Sequence, residues 1–178
     1  MVYGAAMQSD AMSGPEFSAA AILGEGLPED AARLLHAAAM AYDVDDVALN
    51  YLMEARLLAP THPATLIGLY RFYFYKGRLA DALAVARTCL TRAAIDNSLS
   101  LDWREVRPAD APFGDFDAVG ARFFMFSLKG YAYLSMRLGA FEESAAAIDK
   151  LLELDPSDKV GARVLRDVLE RRGLEDVE

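Results

Sequence analysis

The stretch that decides the fold runs from Met125 to Asp158, MFSLKGYAYLSMRLGAFEESAAAIDKLLELDPSD. It reads as a helix, a tight turn at Gly139, and a second helix that stops at Asp155-Pro156. Glycine enters the left-handed conformation that ends a helix without a Cβ penalty, and proline cannot continue a helix because it has no amide to donate. Leu128 and Ala132 on the first helix, and Ser144, Ile148 and Leu151 on the second, recur at helical spacing. Two helices this short cannot bury such faces on each other alone. The small residues let neighbouring helices approach, and the large ones, with Phe141 after the turn, fill the seams.

Working outward, the pattern repeats with less regularity. Pro63 opens a helix that ends at Lys76-Gly77, and its partner runs from Leu79 to about Ala94 with Ala82, Ala86 and Cys89 on its inner side. Before it, Pro28 starts a helix reaching about Tyr42, with Glu29 and Asp30 at the positive end of its dipole. Asp45 is then placed to cap a helix carrying Ala48, Leu52 and Ala55 up to Pro60. Asp117 is expected to cap the long helix that ends at Leu138. A final amphipathic helix, Lys159 to about Arg172, should turn Val160, Val164, Leu165 and Leu169 inward and Arg163, Arg166, Arg171 and Arg172 outward. Residues 1–26 read as a mobile N-terminal arm and residues 27–178 as one helical domain. That domain is interrupted by an insertion at 95–116, a loop with one short helix near Leu99 to Glu105. Trp103, Phe113 and Phe116 make this insertion too aromatic for a linker, so it should pack on the helices; folding back into a groove is one way to do so.

The 34-residue unit from Met125 to Asp158 resembles a tetratricopeptide (TPR) repeat. Leu128, Ala132, Gly139, Phe141, Ser144, Ile148, Leu151 and Pro156 stand at that family's marked places. The resemblance extends over about residues 28–173. It implies an all-α, right-handed alpha-alpha superhelix of about three helix pairs with a C-terminal capping helix. Departures are an alanine, Ala94, in place of the middle repeat's closing proline, and Asp43 and Asp45 in place of the first repeat's glycine and aromatic.

In such proteins the first helix of each pair lines a concave groove that holds a partner. The matching positions are Asp30, Arg33, Leu34, Ala37, Met40 and Ala41; then Ala64, Ile67, Gly68, Arg71, Phe74 and Tyr75; then Phe126, Lys129, Gly130, Tyr133, Met136 and Arg137. None is Asn, which argues against the paired Lys, Asn and Arg clamp with which some members grip a peptide's terminal carboxylate. The partner-binding residues expected are therefore Ile67, Gly68, Arg71, Phe74, Tyr75, Phe126, Lys129, Gly130, Tyr133, Met136 and Arg137. By this resemblance the chain is an adaptor, scaffold or chaperone that binds an apolar segment of another protein. The alternative is a homodimer that buries the aromatic groove against itself. Gly68 and Gly130 occupy matched mid-helix places where glycine costs roughly 0.5–1 kcal/mol relative to alanine. Either a ligand or a neighbouring helix must come close there.

Composition narrows the remaining classes. Of 178 residues, 54% are hydrophobic, enough for a core, and 27 acidic against 18 basic residues leave a net charge of −9 that disfavours nucleic acid and anionic membranes. No apolar run is long enough to span a membrane, so a cytoplasmic protein is expected. The one cysteine, Cys89, reads as a buried, inert thiol. His36 reads as a packed residue and His62 as a turn residue; a catalytic role would need a nucleophile or a carboxylate brought beside one of them. Asp43, Asp45 and Asp46 lack the glycine and distal glutamate of a calcium loop. No catalytic, metal or cofactor residue is expected, and the chain is not expected to be an enzyme.

Overall fold

The computed structural model describes residues 25–175, with side chains as far as Arg172. The arm expected at 1–26 lies outside the described residues except for Glu25 and Gly26. Seven helices are formed within the described residues, with no strand: α1 (Glu29–Met40), α2 (Asp45–Leu58), α3 (Pro63–Tyr75), α4 (Leu79–Asp96), α5 (Val119–Arg137), α6 (Phe141–Leu154) and α7 (Ala162–Glu175). Consecutive helices pack on one another, and α1 also meets α3 while α5 meets α7. Gly77 and Gly139 close the turns of the second and third pairs at φ of +73° and +84°, as helix-terminating glycines should.

The centre of the molecule is α5. Fifteen of its nineteen residues are buried, the signature of a helix surrounded on every side. Phe124, Met125, Leu128 and Leu134 are wholly enclosed, and each such side chain contributes on the order of 1.5–3 kcal/mol on burial. The insertion closes part of this shell. Trp103 sits in a short 3₁₀ turn, Trp103–Glu105, and packs on Tyr131 at 6.1 Å between ring centres, while Phe113 packs on Phe124 at 5.7 Å. Lys150 donates to the Val106 carbonyl at 3.0 Å, and Lys159 donates to that of Gly114. The insertion is thus pinned to α5 and α6, as its aromatic content required. It begins later than expected, because α4 runs on to Asp96.

Three helix starts differ from expectation. Asp45 is the first residue of α2 rather than its cap, Val44 holding the cap position without a side-chain hydrogen bond. The carboxylate, freed of that duty, pairs with Lys76 at 2.7 Å and so ties α2 to the end of α3. Nor does Asp117 cap α5, which starts at Val119 after an uncapped Ala118. The turn there is organised by Asp115, whose carboxylate accepts from the Asp117 amide at 2.9 Å. The last helix begins at Ala162, three residues late, because Asp158 at φ +56° accepts from the Ala162 and Arg163 amides at 2.6 and 3.1 Å. Val160 and Leu165 are buried as expected, but Val164 faces outward.

Candidate functional site

An apolar cleft of 520 Å³ opens between α1, α2 and α3, within the range of roughly 300–1,000 Å³ typical of ligand clefts. Leu35, Ala38 and Ala39 of α1 form one wall and Leu52 of α2 lines it too. The other wall is a stripe of α3, Ala64, Ile67, Gly68, Arg71 and Tyr75, residues that the helical period places one above another. Tyr42 packs edge-on against Phe72, with ring centres 6.3 Å apart, and the Lys76 ammonium sits 4.1 Å above the Tyr42 ring. The hydrogen bond to Asp45 holds the Lys76 ammonium above its ordinary pKa.

The residues expected to bind a partner are divided by this geometry. Ile67, Gly68, Arg71 and Tyr75 line the cleft together, and Arg71 and Tyr75 are exposed. Phe74, Phe126, Lys129, Gly130, Tyr133 and Met136 are buried, and Arg137 is half-buried with its guanidinium donating to the Tyr133 hydroxyl at 2.7 Å. Tyr133, only 3% exposed, meets the Phe74 ring at 5.6 Å. A Cβ on Gly130 would stand 2.9 Å from the Tyr70 hydroxyl oxygen. The continuous groove expected across the second and third pairs is therefore corrected: on α5 that stripe belongs to the core, with α3 against it at Gly130 and Tyr133. The insertion packs on the other side of α5, since the helical period sets Phe124 and Tyr131 away from Phe126, Gly130 and Tyr133.

Both matched glycines answer to helix packing. At Gly68 a Cβ would meet the ends of Leu52 and Leu35 at 3.2 and 3.3 Å, so glycine lets α3 approach α1 and α2 and also deepens the cleft. Missing from the expected groove were Leu35, Ala38, Ala39, Tyr42, Leu52 and Phe72. Leu35, Ala38 and Tyr42 sit one place along from the expected Leu34, Ala37 and Ala41, and the expected Met40 is 77% exposed. With Asp43 in place of a turn glycine, nothing in the sequence pinned the register of α1.

The groups that could support chemistry are occupied. His62 caps α3 by accepting from the Ala64 amide at its Nδ1, 3.1 Å away, and its Nε2 lies 3.0 Å from the Glu25 carbonyl oxygen. A neutral ring with its proton on Nε2 satisfies both contacts. His62 shares a second hollow, of about 450 Å³ and mixed polar and apolar lining, with Asp96, but that carboxylate is held by Arg92 at 2.6 and 2.8 Å. His36 lies on the exposed side of α1, not packed as expected. Cys89 is buried, and burial pushes its thiol up to about 12. Among the described residues no three His, Cys, Asp or Glu side chains could share a metal ion. No described helix is long and apolar enough to cross a membrane.

Comparison with known proteins places the chain beside one relative. The uncharacterized 19.8 kDa protein in the nifW 5′ region of Azotobacter chroococcum mcd 1 is 39% identical over 125 residues, which cover 70% of this chain and 70% of the relative. The chain belongs to that protein's family. No family model matches it, and no solved structure matches it.

Proposed function

We propose that the chain is a protein-protein interaction module, an adaptor, scaffold or chaperone of TPR-like right-handed superhelical build, which acts in the cytoplasm and holds an apolar segment of a partner protein. The observation that carries this reading is the cleft of α1, α2 and α3: apolar walls, one exposed cation and an exposed aromatic at Tyr75. Apolar recesses with an aromatic and an arginine at the rim are the usual seats of binding energy at interfaces. The engagement of His62 and Asp96 in structural contacts, and the burial of Cys89, support a non-enzymatic role.

Titration with a synthetic amphipathic helical peptide of Leu, Ala and Glu tests the reading. Saturable binding that is abolished by Ala39→Glu, a change on the exposed cleft wall, is expected; absence of saturation contradicts it. The relative's place in a nifW 5′ region supports taking the nifW product of the same organism as the first natural partner to try.

A second reading, self-association, is favoured by a different surface. Met53 and Leu57, one helical turn apart on α2, are 42% and 81% exposed, and exposed apolar patches mark interaction surfaces. Light scattering over a concentration series decides it: a dimer that Leu57→Ser dissolves supports self-association, and a monomer throughout contradicts it.

A further inference from the structure

We propose that the cleft has an occupant in its own chain, the segment Glu16 to Leu23, so that a partner binds by displacing it; this rests on the reading of the cleft as the binding site. Three observations converge on it. The first is where the described chain begins: the Glu25 carbonyl is held by His62, the cap of α3, and Ala64 two residues later already lines the cleft. Glu25, the first described residue, therefore stands beside one end of the cleft.

The second is reach. From Ala64 to Tyr75 the α3 wall is about 17 Å long at 1.5 Å per residue, and the seven residues from Phe17 to Leu23 can extend over about 23 Å. The third is chemistry. Residues 1–24 carry Asp10 and Glu16 but no lysine or arginine, and Phe17, Ala19, Ala20, Ala21, Ile22 and Leu23 supply apolar side chains. The cleft is apolar, and Arg71 is the charged side chain among its described liners. Half of the arginines in this acidic chain find a carboxylate, Arg33, Arg78, Arg92, Arg104 and Arg166 among them. Arg71 makes no ion pair or hydrogen bond with a described residue, and Glu16 lies next to the apolar run that would bring it there.

A tethered segment acts at an effective concentration on the order of millimolar, so even weak docking sets a threshold that a partner must exceed. The full chain carrying Ala20→Cys, labelled with a solvent-sensitive thiol dye, reports the docking directly. Cys89 is buried and leaves the introduced thiol as the reactive one. Shielded emission is expected, independent of protein concentration, shifting to water-like emission with Ala39→Glu. Water-like emission in both proteins overturns the proposal and leaves the cleft open for a partner. Shielded emission that ignores Ala39→Glu places the segment elsewhere and overturns it too, as does shielding that appears only at high concentration, which assigns the segment to a second copy.

Discussion

The first and third helix pairs share a plan, helix, turn and helix, yet they are built from different material. Within α1 and α2 the buried residues are alanines with the single large side chain Leu52, and large apolar groups such as Met40 and Leu57 face outward. In the third pair, α5 buries five aromatic rings, Phe123, Phe124, Phe126, Tyr131 and Tyr133. Since buried area sets the stabilisation, roughly 25 cal/mol per Å² of apolar surface, the third pair and its insertion form the anchor. The first pair is held mainly by α3. A binding surface suits that end, because a helix pair with a thin core leaves apolar wall uncovered.

The largest expected effect breaks the anchor. Phe124→Ala removes a wholly enclosed ring and should cost about 3–5 kcal/mol, a drop measurable by denaturant titration. Removing exposed Leu57 at the other end should change stability by no more than about 0.5 kcal/mol.

The two matched glycines sharpen the contrast. Gly130→Ala drives a methyl against the Tyr70 hydroxyl at 2.9 Å and should destabilise by about 1–3 kcal/mol. That hydroxyl is buried without a hydrogen-bond partner, so Tyr70→Phe should relieve the clash, and a double-mutant cycle checks the coupling. Gly68→Ala meets only the mobile ends of Leu35 and Leu52, and the helix gains about 0.5–1 kcal/mol of propensity. Its melting temperature should hold or rise.

A smaller effect concerns pH at the third pair's end. Burial pushes the Asp155 carboxyl up, but hydrogen bonds from the Ser157 side chain and from the Lys159 and Ser157 amides outweigh it and hold the group below the ordinary carboxylate value. A depressed carboxyl stabilises fully above its unfolded pKa of about 3.9, and that contribution is lost as pH falls through the folded value. Asp155→Asn should therefore lower stability at neutral pH by about 1–3 kcal/mol. Its gap from the parent protein should narrow in acid melts below about pH 4.

What could be read in advance follows the same division. Gly77, Gly139 and Pro156 announced their turns because their backbone chemistry admits few alternatives, and α6 was legible to the residue. Aspartates were less informative. Asp45 and Asp117 carry a capping side chain, but whether it caps depends on where the neighbouring helix offers a better partner, as Lys76 does for Asp45. The cleft was half legible. Ala64, Ile67, Gly68, Arg71 and Tyr75 came from the register that Gly77 pins, whereas α1 slipped by one place for want of a glycine at Asp43. The aromatic stripe of α5 misled for a different reason: helical periodicity shows that Phe126 and Tyr133 share a face with Gly130, but not that Tyr70 and Phe74 of α3 come to lie against it.

The most direct measurement sets Tyr75 against Tyr133, each changed to Ala, with affinity for the Leu, Ala and Glu peptide and thermal melting recorded on both. Tyr75 is 40% exposed on the cleft wall and Tyr133 lies in the core. Tyr75→Ala should weaken binding by more than about 1 kcal/mol with little change in melting, and Tyr133→Ala should lose about 3–5 kcal/mol of stability. Unchanged affinity in Tyr75→Ala, together with a stable Tyr133→Ala that no longer binds, would move the site to the third pair and contradict this account.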